Sequence, residues 1–266
     1  MSEISILLVG NTDRSEFRHA RAMLDEFGPV VAAADVGSAC GALAAGKVAP
    51  DLIIVAQSYP GQFSSAAIDR LRRSAPLARM LGLLGSWCEG ETRTGQPWPA
   101  AIRTYWHEWL PRVEQELARL RDGTCCTWAL PITASEEERL LLLADEPVPS
   151  REGLVAVWTR QFEMQDWLRA ACERRGYSTV WLDPHRPVHL EGVAAVIFDG
   201  NECRGEEVEA IQRLADALEP VPIIALLEFP RVDDHNRALA AGARAVLSKP
   251  LLIEDLFWQI DRLVDA

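Results

Sequence analysis

Nothing in this sequence approaches the ~20 consecutive apolar residues that a membrane span needs; the longest candidates, such as residues 222–227, are strand-sized. Positive charge is also scarce. Its 27 basic residues face 39 acidic ones, leaving a net charge of −12 and a pI near 4.9. Modules that grip nucleic acid or anionic membrane do so with clustered Lys and Arg, so neither is expected as a partner, and the acidity reads as solubility. No CxxC pair occurs among Cys40, Cys88, Cys125, Cys126, Cys172 and Cys203, which removes the usual sequence mark of a zinc or redox site. Adjacent Cys125 and Cys126 leave a redox role open, but reduced thiols of a cytoplasmic protein are the simpler expectation. A glycine-rich phosphate loop, a GxSxG elbow and an HExxH pair are all missing, so no enzyme and no cofactor is expected. The amino terminus, MSEISILLVG, lacks the basic region of a secretion signal.

A hydrophobic fraction of 48% with 25% charged residues is that of a globular chain, and 266 residues suffice for two domains. One pattern occurs twice. Residues 4–9 form a continuous apolar run, as in a strand buried on both faces. Alternating helices and strands follow: helix 15–27, strand 29–34, helix 37–46, strand 51–55, helix 63–74 and strand 80–84. Residues 89–99, with Gly90, Gly95, Pro97 and Pro99, read as a loop. A strand at 102–106 and a helix at 111–120 finish the unit.

The second copy starts with a strand at 154–157 and a helix whose stripe is Met164, Trp167, Leu168, Ala171 and Cys172. Gly176 sits where a helix-terminating glycine belongs. Strands at 177–182, 193–198, 221–227 and 243–247 follow, with helices at 206–218, 232–241 and 253–263. Pro184 and Pro187 make 183–191 a loop. The reading is two tandem flavodoxin-like (CheY-like), doubly wound, five-stranded parallel sheets. The expected domains are 1–121 and 151–266, joined by a linker, 122–150, whose short helix carries four consecutive leucines and is therefore expected to pack on one of the domains.

VIFDG, with Asp199 ending the third strand, and VLSKP, with Lys249-Pro250 ending the fifth, carry a resemblance. So does AAGARAV (240–246). Over 153–263 the chain resembles the receiver domain of bacterial two-component response regulators; over 4–120 the resemblance rests on ILLVG and PDLIIVAQSYPG. It implies that Asp199 stands where an aspartate accepts a phosphoryl group from a histidine kinase. Two acids after the first strand would hold Mg²⁺, and the lysine would take part of the phosphoryl charge. This chain departs from that pattern. The acid pair falls on Thr159 and Arg160, the Ser/Thr position on Leu227 and the switching aromatic on Val246. Asp199 and Lys249 remain, with Asn201 at a backbone-ligand position. Glu163 or Glu228 could substitute for the missing acids, but neither sits in the family's place, so Mg²⁺ binding is not expected. In the first copy Ala56 replaces the acceptor, followed by Gln57; Asn11 and Thr12 replace the acids, and Trp106-His107 replaces Lys-Pro.

These departures imply two pseudo-receivers. The expectation is a non-enzymatic signalling or scaffold protein acting on a protein partner or on itself; the alternative is a genuine phosphorelay response regulator phosphorylated on Asp199. Arg160 and Lys249 are expected to flank Asp199 in place of the ion, unless Arg160 simply points into water. Asp13, Asp183 and Glu89 read as loop ends or caps, and the two histidines of DPHRPVH (183–189) as part of a solvated loop. Trp167 belongs to a core stripe. Trp258 points away from the inward stripe of the last helix (Ile253, Leu256, Ile260, Leu263), which makes it the candidate interface residue.

Overall fold

The computed structural model describes residues 3–265 apart from 92–94, 96, 99–101, 125, 132–133, 145–149 and 184–189. Cys125 and the histidines of the 183–189 loop therefore lie outside the described residues. The chain divides into two compact units, Met1–Glu146 and Pro147–Ala266.

Each unit is built on the apolar runs. In the first, β1 (Ile6–Val9), β2 (Val30–Ala33), β3 (Leu52–Gln57), β4 (Arg79–Leu84) and β5 (Ile102–Tyr105) pair in parallel in the order β2-β1-β3-β4-β5. All of β1 and β3 is buried, which is why their sequences are apolar without alternation. The helices are α1 (Arg18–Leu24), α2 (Val36–Ala44), α3 (Ser65–Ser74), α4 (Trp109–Asp122) and α5 (Glu136–Ala144). Asp35 caps α2 in a reciprocal box with Ser38. Pro111 fits the first turn of α4, where no helical partner for its missing N–H is needed. Between β4 and β5 lies a 3-10 turn, Ser86–Cys88.

In the second unit, β6 (Leu154–Trp158), β7 (Ser178–Leu182), β8 (Val193–Asp199), β9 (Ile223–Glu228) and β10 (Ala245–Lys249) are ordered β10-β9-β8-β6-β7, again parallel. Read from the opposite edge, this is the same second-first-third-fourth-fifth order, the flavodoxin-like arrangement. Helices α6 (Phe162–Arg175) and α9 (Ile253–Val264) cover one face through Leu168, Cys172, Leu256 and Ile260. Helices α7 (Glu206–Leu218) and α8 (Val232–Ala240) cover the other through Ile211, Leu214 and Ala238. Gly176 ends α6 at φ 97°, and a Cβ there would lie 2.3 Å from the Arg151 carbonyl, so both conformation and space demand glycine.

Within the segment 122–150, the leucine-rich helix α5 falls in the first unit, where Arg79 donates to the Trp128 carbonyl and the Trp128 N–H donates to buried Glu116. Two expectations need correction. The last strand begins at Ala245, because Ala241–Ala243 still close the turn after α8. Trp167 is not core: it is 43% exposed. The buried arc of α6 is Leu168, Ala171, Cys172 and Arg175, and a residue preceding Leu168 by one lies ~100° round the helix from it.

Candidate functional site

The C-terminal edge of the second sheet gathers the residues that the sequence singles out. Between β6 and β8 the strand order reverses, and a crevice opens beyond the strand ends of such a sheet at that point. The register sets Trp158 against Phe198, and the two rings stack with centroids 4.3 Å apart. Strand alternation sends the next residues, Thr159 and Asp199, to the opposite side. Lys249, the last residue of β10, reaches the same place.

Asp199 is buried, with 6% of its surface exposed, and both its oxygens have a partner. Lys249 Nζ lies 2.6 Å from Oδ1, and the Thr159 hydroxyl donates to Oδ2 at 2.7 Å. Thr159 is itself completely buried. Its hydroxyl accepts from the Gln161 N–H at 3.1 Å, which orients the proton toward Asp199, and its carbonyl accepts from the Trp181 indole at 3.1 Å. Glu228 stands 3.9 Å from the ammonium but is mostly exposed. Leu227, in the Ser/Thr position, is fully buried. Lys249 is one of only two lysines in the chain, the other being Lys47. A compact ammonium rather than a guanidinium fork meets this carboxylate.

Arg160 does not join the trio, which corrects the expectation that it flanks Asp199. Its guanidinium donates to Glu206 at 2.9 Å, with both side chains more than half exposed, and lies over the Trp158 ring at 5.7 Å. The residue after Thr159 leaves the sheet edge, and a long side chain there reaches water and an acid on α7 more easily than a pocket already filled by Lys249. Asn201 lies in the following loop. Its N–H and that of Cys203 each donate at 2.9 Å to the carboxylate of Glu207, and its carbonyl accepts from the Glu228 N–H.

This donor set does not suit a divalent cation. Mg²⁺ requires oxygen ligands, usually with more than one carboxylate at such a site. Here the acid-pair positions hold Thr159, whose hydroxyl donates to Asp199, and Arg160, which turns to Glu206, while the Lys249 ammonium already sits on the other Asp199 oxygen. Among the described residues no group of three or more His, Cys, Asp or Glu is arranged to hold a metal.

Solved structures that match part of this chain include receiver domains. The comparison includes a response regulator receiver domain protein from Clostridium thermocellum, at 15% identity and a TM-score of 0.39, covering 42% of this chain and 94% of that one. It also includes a CheY-like receiver domain protein from Methanospirillum hungatei, at 18% and 0.39, covering 43% and 95%. A protein described as pilus-assembly-related, from Burkholderia pseudomallei, matches at 18% and 0.39, covering 42% and 89%. No family model matches the chain, and no curated protein does.

At the equivalent edge of the first sheet no carboxylate stands in the place of Asp199. The register sets Val9 against Val55 as Trp158 is set against Phe198, so Ala56 stands in place of Asp199 and Gly10 in place of Thr159. Asn11 thus replaces Arg160, one position from the expected pairing of Asn11 and Thr12 with Thr159 and Arg160. A Cβ on Gly10 would lie 2.6 Å from the Ala56 carbonyl, so there is no room for a side chain in the place of Thr159. Trp106, in the place of Lys249, is buried. Beside them lies a polar group that the sequence did not reveal. The Gln57 amide donates to both oxygens of Glu91 at 3.2 Å, and Arg103 pairs with Glu91 at 2.6 Å.

Trp258 is only half-buried, with the Arg262 guanidinium 5.2 Å from its ring centroid, and is absent from the exposed large apolar residues. The exposed aromatics of this unit are Phe162, Trp167, Trp181 and Phe229. Trp258 is therefore a weaker interface residue than its place on the helical wheel suggests, because Phe257 and Gln259 are buried with the inward stripe and α9 sinks deeper than a narrow stripe implies.

Proposed function

We propose that this chain is a non-enzymatic signalling scaffold made of two receiver-like units. It acts through contacts with a protein partner or a second copy of itself, in the cytoplasm, and is not switched by metal-dependent phosphoryl transfer. The observation that carries this reading is the double engagement of Asp199. A phosphoryl acceptor needs a carboxylate oxygen free for in-line attack and a cation spanning acceptor and phosphoryl group. Asp199 instead spends one oxygen on Lys249 and the other on Thr159. Ala56 in the first unit has no oxygen with which to attack. The net charge of −12 fits contacts with protein rather than nucleic acid.

A genuine response regulator phosphorylated on Asp199 by a histidine kinase is the second reading. It is favoured by the 2.6 Å Lys249–Asp199 contact, which resembles the family's acceptor pair. Incubation with acetyl phosphate and Mg²⁺, followed by intact mass measurement, separates the two. The scaffold reading predicts an unchanged mass. A one-phosphoryl increment that Asp199→Asn removes establishes the second reading.

A further inference from the structure

Glu16 is a buried carboxylate that nothing above uses. It sits in a 3-10 turn, Ser15–Phe17, anchored by the wholly buried Phe17 next to it. Its side chain is 3% exposed and crosses to the end of β4. There Oε2 accepts from both the N–H and the hydroxyl of Ser86, at 3.2 and 3.0 Å, while Oε1 accepts from Arg14 Nε at 3.2 Å. Gly85 leaves room for it: a Cβ at that position would lie 2.5 Å from Oε1 and 3.1 Å from the Ser58 carbonyl. The residue after Ser86, Trp87, is 73% exposed, whereas the next, Cys88, is fully buried and has its thiol on the Gln57 carbonyl at 3.5 Å.

We propose that Glu16 is an internal anion that permanently occupies the end of β4 in the first unit, fixing the turn Ser86–Cys88 and holding Trp87 outward. The arrangement has the parts of an anion site: an N–H, an O–H and a guanidinium converge on one carboxylate, with a glycine clearing the space. The anion is covalently part of the chain, so its effective concentration is always high. The turn therefore keeps one arrangement and needs no diffusible phosphoryl group, and Trp87 is a constitutive contact residue rather than a switched one. This concerns the first unit alone and stands or falls independently of Asp199.

Amide exchange followed by NMR tests it, with the Trp87 indole resonance assigned through Trp87→Phe. In Glu16→Ala, exchange at Ser86–Cys88 should rise by about tenfold or more, as expected for losing a hydrogen bond to a charged acceptor. Leu8 and Ile54 in the neighbouring strands should keep their protection. The Trp87 resonance should shift, and millimolar acetate, which can refill the vacated space, should restore both the resonance and the protection; acetate should leave the wild type unchanged. Ser86→Ala is the milder variant should Glu16→Ala fold poorly, and should move the Trp87 resonance in the same direction. Unchanged exchange at Ser86–Cys88 would overturn the proposal. So would a rise shared equally by β1 and β3, or a local rise that acetate does not reverse, because either outcome gives Glu16 a packing role only.

Discussion

Thr159 and Arg160 are neighbours in sequence with opposite fates, and their substitutions should separate cleanly. Thr159 is buried and donates to a buried carboxylate. Its replacement by alanine leaves Asp199 one partner short, and Thr159→Ala should cost about 1–3 kcal/mol, read as a drop in melting temperature. Arg160 and Glu206 are both mostly exposed; such pairs contribute about 0–1 kcal/mol, so Arg160→Ala should leave the melting temperature nearly unchanged. Thr159→Asp is the informative third variant. It sets a second carboxylate against Asp199, and like charges at that distance repel unless a cation intervenes. That variant should melt below the wild type in EDTA and recover when millimolar Mg²⁺ is added. No response to Mg²⁺ would mean that more than one ligand is missing from the site.

At the scale of elements, α6 and α9 are fastened by one cluster. Asp261 of α9 accepts from Arg175 at the end of α6 and from the Tyr177 phenol at 2.9 Å, and Arg151 lies 3.8 Å away. Arg175 is almost wholly buried, while Asp261 keeps some contact with water. Asp261→Asn should therefore destabilise by up to about 3 kcal/mol, the lower end of what breaking a fully buried pair costs. Beneath the same helices Cys172 is buried, and burial pushes its thiol from an ordinary value of 9.0 up to about 12; Cys203 is pushed the same way, to about 11. A folded pKa above the unfolded one favours the neutral thiol, so this stabilisation is whole below about pH 9 and is lost as pH rises toward 11–12. Melting temperature should fall above pH 9, and Cys172→Ala should flatten that slope.

These elements also mark where sequence reasoning reaches its limit. The continuous apolar runs fixed strand positions because a strand covered on both faces has little choice of residue. Ala241–Ala243 blurred the last boundary because small apolar residues suit both a turn and a strand. Trp167 was misplaced because a helical stripe cannot be bounded to better than one residue's rotation without knowing its neighbour. Asp199 and Lys249 were legible through a resemblance to known strand ends. The direction of Arg160, the Glu16–Ser86 clasp and the Glu207 bonds to Asn201 and Cys203 were not. Each depends on where a single side chain turns, and two of the three join residues far apart in sequence.

For the whole molecule, the same strand order occurs twice over two different sites. In one, Ala56 stands in place of the acceptor with no space for a side chain on Gly10; in the other, Asp199 is engaged by Lys249 and Thr159. The net charge of −12 disfavours a nucleic-acid output, which accords with the proposal that the chain acts through protein contacts. The central claim is that Asp199 is not a phosphoryl acceptor served by a metal. A ligand that binds only the native state raises stability by RT ln(1 + [L]/Kd), so thermal unfolding of the full chain with beryllofluoride and Mg²⁺ measures the claim directly. The account predicts the same melting temperature with and without both reagents. A dose-dependent rise that disappears in Asp199→Asn would contradict it.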